Sequence, residues 1–413
     1  MSTVLIQNIA HLGGLHAPDK NILAGAEMLE WPSIPNAWLS IQDGMISDFG
    51  PMSSCPQRAD QIIDAKTGIV LPGFVDSHTH LVFAGNRVQE FVDKINGLTY
   101  EEIAARGGGI LNSAKTLAET DEEELFEQSS IRLLEVIKQG TTALEIKSGY
   151  GLTLEAELKM LKVIRRLKEA YDIPIKATCL AAHAIPIEFK NNKRAWVDLA
   201  CERLIPSVVD EGLADFVDVF CENNYFDVAD MLRIMEVGEK FGLKAKVHVN
   251  QFNSLGGIEA ACRAGALTVD HLEVMSDADF EALSRSTTIA TILPSCSFYL
   301  GIPFAPVKEM IKLGIPVALA SDYNPGSSPS GNMSFVVSLA CIKQKLMPEQ
   351  AFNAATINGA AAMGLSHELG SIAKGKRANV LITKPLPSWG AIPYEFGSNP
   401  IHTVLINGRT IQH

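Results

Sequence analysis

Ile69-Val-Leu-Pro-Gly-Phe-Val-Asp-Ser-His-Thr-His80 is an apolar run of strand character that ends on two histidines one residue apart. Residues two apart in an extended segment project to the same side. His78 and His80 can therefore grip one cation together, and imidazole suits Zn²⁺ or Fe²⁺. The same texture returns downstream. Apolar strand candidates run over 142–146, 175–180, 216–220, 245–249, 267–269, 288–292 and 317–320. Most are followed by a residue capable of chemistry: Tyr150 after the second strand, His183 after the third, Glu222 after the fourth, His248 after the fifth, His271 after the sixth and Asp322 after the eighth. Half of the ten histidines fall at such places. His11, His16, His367, His402 and His413 do not, and no role is read into them.

Amphipathic helices are expected between the strands, over 121–139, 154–170, 228–241 and 276–284. The first opens on glutamates and carries Lys138 near its end, as the helix dipole favours. Eight strand–helix repeats predict a (β/α)8 TIM-like barrel, in which active sites are built at the carboxyl ends of the strands. A doubly wound open sheet is the alternative, but no GxGxxG or GxxxxGK[ST] follows a strand to support it. The two ends of the chain read differently. Short strands at 3–6, 37–41 and 45–49 are separated by turn formers, and the texture recurs at 379–383 and 403–406, with Asn407-Gly408 as a hairpin signal. The predicted organisation is a small β-sandwich domain built from both termini, residues 1–70 and 366–413, around a barrel over 71–365.

Composition excludes several classes. Of 413 residues, 47% are hydrophobic and 20% charged, so disorder is not the main state. The net charge of −12 argues against a nucleic-acid surface. Seven cysteines form no CxxC pair and suit free thiols in a reducing compartment. No signal peptide or membrane-length apolar run is read, so the expectation is a cytoplasmic protein with no membrane partner.

Several motifs carry a resemblance. Pro72-Gly-Phe-Val-Asp-Ser-His-Thr-His80 resembles the first-strand signature of the amidohydrolase superfamily, and Val247-His248, Asp270-His271 and Ser321-Asp322 resemble its fifth-, sixth- and eighth-strand site residues. The stretch 370–380 is similar to its return into the β domain, with Asn379 where the superfamily usually has Asp. A narrower resemblance lies in Phe83-Ala-Gly-Asn-Arg87, Arg106-Gly-Gly-Gly-Ile110, Glu145-Ile-Lys-Ser-Gly-Tyr-Gly-Leu152, Ala182-His183 and Ser321-Asp-Tyr-Asn-Pro-Gly-Ser-Ser-Pro329. These look like the branch that opens an imidazolone ring in histidine breakdown.

That resemblance implies hydrolysis of 4-imidazolone-5-propanoate to N-formimidoyl-L-glutamate. It implies one divalent metal ion per chain, Zn²⁺ or iron (Fe²⁺/³⁺), on His78, His80, His248 and Asp322. His271 and Asp322 are the expected catalytic residues. Arg87 is the expected partner of the substrate carboxylate, since its planar fork matches one. Tyr150, His183, Gln251, Asn324, Gly326 and Ser327 are expected substrate contacts, and Gly107, Gly108 and Gly109 permit a lid. Glu222 is expected to orient a ligand. Many superfamily members carry two metals bridged by a Lys or Glu after strand four; Cys221-Glu222 offers no Lys there, and Lys147 lies on strand two. An aminohydrolase acting on a nucleobase-like ring is the rival enzyme, and a catalytically inactive assembly protein the rival of another class. The expected partner is a small molecule, and a homodimer is a family expectation only.

Overall fold

The computed structural model describes residues 2–98, 102 and 108–411. Among them, sixteen strands form two sheets. The barrel consists of β6 (Phe74–Asp76), β7 (Thr141–Lys147), β8 (Ile175–Ala182), β9 (Phe216–Cys221), β10 (Lys244–Val249), β11 (Thr268–His271), β12 (Ile289–Ile292) and β13 (Val317–Leu319). They lie side by side in sequence order and pair in parallel throughout. The connecting helices cover the outside, and strands covered on both faces read as near-continuous apolar runs. Helix caps sit where the chain supplies them: Asp121, Thr153 and Ser276 each accept a backbone N–H from the first turn of the helix that follows.

Strands β6 and β13 close the barrel just beyond their own ends. Thr79 and Tyr323 form a parallel bridge, Asp322 N donates to His78 O at 3.0 Å, and His80 N donates to Tyr323 O at 2.9 Å. Asp76 reinforces the seam by accepting from the backbone N–H and hydroxyl of Ser321.

The terminal sheet holds β1 (Thr3–Gly13), β2 (Ser33–Gln42), β3 (Met45–Pro51), β4 (Gln61–Asp64), β5 (Gly68–Pro72), β14 (Val380–Pro385), β15 (Ile401–Ile406) and β16 (Arg409–Thr410). Its order is β16-β15-β14-β5-β1-β2-β3, with β4 branching from β1. Ile6, Leu12, Leu39, Val70, Val380 and Leu405, from both ends of the chain, share one core, consistent with the predicted sandwich.

The opening apolar run is therefore two strands. Gly68–Pro72 belongs to the terminal sheet and Phe74–Asp76 to the barrel. The sheet thus extends two residues past position 70. Gly73 makes the transfer: a Cβ there would lie 2.1 Å from Thr142 Oγ1, so only glycine lets the strand cross so close to β7. Asn379 ties the same junction, donating to Thr142 O at 2.9 Å and accepting from Asn407 N. Its amide serves the interface between the sheets, away from the strand ends that carry the histidines.

Candidate active site

At the carboxyl end of the barrel, His78 and His248 each have one nitrogen committed and another directed inward. His78 Nδ1 lies 2.6 Å from Asp270 Oδ2, and His248 Nδ1 lies 3.0 Å from Asp218 Oδ1. A carboxylate only accepts, so Nδ1 carries the proton in both rings and Nε2 keeps its lone pair. These Nε2 atoms converge. His80 Nε2 is 3.3 Å from His248 Nε2, and both His78 Nε2 and His80 Nε2 are 3.5 Å from Asp322 Oδ1. His78 Nε2 is fully buried without a hydrogen-bond partner. Burial is the main force holding His78 and His80 well below the usual histidine range, helped by the charge of Lys147 and by the neighbouring histidines. Neutral lone pairs buried around one point, with a carboxylate oxygen beside them, fit a cation of Zn²⁺ or Fe²⁺ type.

His271 stands beside this group. Donor atoms of His78, His248 and His271 lie within 4.8 Å of one another, as do those of His78, His80 and Asp322. His271 Nδ1 is 3.4 Å from Glu273 Oε1, which also accepts from the Ser297 hydroxyl at 3.0 Å. Burial alone would lower the His271 pKa, but Glu273, Asp322 and Asp270 more than offset it and the net shift is upward. Both His271, at φ 89°, and Asp322, at φ 54°, hold left-handed backbone conformations. Such strain in non-glycine residues persists where the surroundings over-determine it.

Above the metal-type cluster opens a cavity of about 440 Å³ whose lining includes Arg87, Tyr150, His183, Gln251, Asn324, Gly326 and Ser327. All seven residues expected at the substrate are thus brought together. Arg87 Nε donates to Ser113 Oγ at 2.9 Å, and its buried Nη2 has no partner. A Cβ on Gly326 would fall 2.3 Å from Arg87 Nη1, so the missing side chain makes room for the guanidinium. His183 Nδ1 donates to Gly149 O at 3.1 Å, and its ring stacks 5.0 Å from that of His80. Burial pushes the His183 pKa down to about 3, so Nε2 of the neutral ring is an acceptor. Asn324 is used mainly to build its own loop: its amide nitrogen donates to Asp322 O and Ser327 Oγ, and its oxygen accepts from Gly326 N and Ser327 N. Gly107 of the expected lid, residues 107–109, lies outside the described residues.

Glu222 does not orient a metal-type ligand. Its carboxylate accepts from Asn223 N, Phe252 N, Asn253 N and the Asn253 amide, pinning the loop that carries Gln251. The orienting carboxylates are instead Asp218 and Asp270. In the sequence Asp270 stands out only as the neighbour of His271, and Asp218 only as an acid in the middle of Phe216-Val-Asp-Val-Phe220. Glu157 was passed over. It accepts from Gly149 N, Gly151 N and Leu152 N and so holds the loop that presents Tyr150.

An amidohydrolase family model matches residues 69–411. The chain belongs to that family. Within it, relatives named imidazolonepropionase match nearly end to end. The chain is 58% identical over 408 residues to the one from Flavobacterium johnsoniae, covering 98% of this chain and 99% of the relative. It is 57% identical over 412 residues to the one from Christiangramia forsetii, covering 99% and 100%. The barrel-plus-sheet fold is also that of E. coli guanine deaminase, with a TM-score of 0.75 at 14% identity over 100% of this chain and 99% of the other. At the level of sequence the chain is a member of the imidazolonepropionase family.

Proposed function

We propose that this chain hydrolyses 4-imidazolone-5-propanoate to N-formimidoyl-L-glutamate, using one divalent metal ion. The observation that carries the reading is the convergence of His78, His80, His248 and Asp322 beside a cavity lined in part by Arg87. Zn²⁺ or Fe²⁺/³⁺ held by those four residues would supply a water acidified to a pKa of about 7 and a Lewis acid for the ring carbonyl.

The reaction breaks the ring amide bond. The carbonyl carbon gains the water oxygen and becomes the new carboxylate, while the ring nitrogen leaves and takes a proton. Asp322 accepts the water's proton and returns it to that nitrogen. His271, favoured as imidazolium by Glu273, can donate to the oxyanion as charge develops. Arg87 anchors the propanoate at the far wall, leaving the ring over the cluster. Tyr150, His183 and Gln251 frame the ring, and the 324–327 loop supplies backbone and hydroxyl contacts.

Product identification with freshly generated imidazolonepropanoate tests the proposal. N-formimidoyl-L-glutamate without ammonia is expected. Ammonia released from an amino-substituted nucleobase such as guanine, with imidazolonepropanoate left unconverted, would point to the aminohydrolase reading, and no turnover of either compound by metal-replete protein to an assembly role. Element analysis should give close to one transition-metal equivalent per chain, and two tightly held equivalents would overturn the single-metal assignment.

A further inference from the structure

Barrel interiors are normally filled by branched apolar side chains. Directly beneath the imidazole cluster this barrel instead buries Glu145, Lys147, Asp218, Lys246 and Asp270, each essentially inaccessible to solvent. Burying a charge costs several kcal/mol unless it is paired and hydrogen-bonded. This layer is paired. Lys147 Nζ donates to Glu145 Oε1 at 2.6 Å and to Asp218 Oδ2 at 2.8 Å, and lies 3.7 Å from Asp270 Oδ2. Lys246 Nζ donates to Glu145 Oε2 and to Ser77 O.

The two lysines differ in one respect. Lys147 alone sits between Asp218 and Asp270, the carboxylates that receive Nδ1–H of His248 and His78. Asp218 comes from β9 and Asp270 from β11; pairing of both strands with β10 sets their backbones but not the separation of their carboxylates. One ammonium drawn to both does. Thr268 Oγ1 holds the other oxygen of Asp270 at 2.6 Å.

We propose that Lys147 is a positioning residue for the metal centre: its ammonium clasps Asp218 and Asp270 so that His248 and His78 are both held as Nδ1–H tautomers with Nε2 aimed at one point. The inference rests on the reading of His78 and His248 as ligands. Lys246, equally buried, hydrogen-bonds Glu145 and the backbone; its charge also acts on Asp270, but it does not bridge Asp270 to Asp218 as Lys147 does.

The test is Zn²⁺ affinity of chelator-stripped protein, measured against a competing chelator, for five variants and wild type. Outer-sphere partners of ligand histidines typically contribute 10–100-fold in metal affinity. Lys147→Met is expected to weaken Zn²⁺ binding by about that factor, and Lys246→Met to leave it near wild type even where it lowers thermal stability. Adding Lys147→Met to Asp218→Asn should cost much less than it does in wild type, because the clasp is already broken. Nitrogen-15 spectra of the metal-free wild-type protein supply a check that needs no variant: His78 and His248 should both be Nδ1–H tautomers. Equal losses for the two lysine variants, a fully additive double variant, or Nε2–H tautomers in wild type would overturn the proposal. His248→Ala separates the two levels. If it leaves Zn²⁺ affinity intact, the ligand reading fails; if it abolishes affinity while Lys147→Met does not, only the role of Lys147 fails.

Discussion

Beneath the cavity, His78 and His248 lean on carboxylates 192 and 30 positions away in the chain. Around its mouth, Asn324 folds back on residues two and three positions along, and Glu157 holds a loop that ends five positions before it. The floor is thus assembled by barrel topology and the mouth by local turns. A floor built from several strands tolerates little change, because each group has partners on other strands. A mouth built from self-contained loops can change which molecule it admits without disturbing the floor. Separating the two experimentally requires variants read for both metal content and turnover.

The largest effect should come from His271→Ala. A positioned acid–base group contributes about 10²–10⁴-fold, so kcat should fall by that order while the metal stays bound. Loss of the metal would show that His271 belongs to the ligand set and that the floor is wider than drawn. Arg87→Met should follow. A hydrogen bond to a charged group is worth about 1.5–3 kcal/mol, so kcat/KM should drop by roughly one to two decades at unchanged metal content. An imidazolone lacking the propanoate should be a poor substrate that responds little to the change. Comparable losses on both substrates would remove Arg87 as the carboxylate anchor.

Gly326→Ala sharpens the comparison further. Its Cβ would press on Arg87 Nη1 at 2.3 Å, and the long arginine can swing aside. KM should rise several-fold with kcat nearly unchanged, and steady-state kinetics will tell. The last effect is read in stability and not in turnover. The folded-state pKa of His183 lies near 3, below the ordinary value of 6.5, so the unfolded chain binds the extra proton between them. Stability therefore falls as pH drops through that window, by up to about 1.4 kcal/mol per unit for this one group. His183→Gln should flatten the acid limb of a pH–stability curve by about one proton relative to wild type. An unchanged slope would mean that His183 is not held neutral.

The barrel was legible in the sequence because parallel strands buried on both faces leave long apolar runs, and polar groups gather at one end. The helix expected over 154–170 is Leu154–Ala170, and the structure shows Thr153 as its cap. The division at Gly73 was not legible, since two consecutive strands of different sheets make one unbroken apolar run. Six of the seven cavity residues lie within quoted motifs, Gln251 being the exception, and all seven line one cavity. The charged layer below was not legible, because a lone acid or lysine inside a strand carries no spacing signature. Its partners lie on other strands and appear only when the barrel is folded. The same reason misled the reading of Glu222, whose partners prove to be a neighbouring loop.

The seam that joins the first and last barrel strands has a consequence for the order of events during folding. Asp76 and Ser321 are 245 positions apart, and His78 meets Asp322 across the same seam. Contacts of such sequence separation carry the largest loop-closure entropy and form late. A chain emerging from the ribosome would hold the paired histidines long before the aspartate that completes their set. The cation should then be captured with full strength only after the last strand docks, which makes metal uptake a report on completed folding.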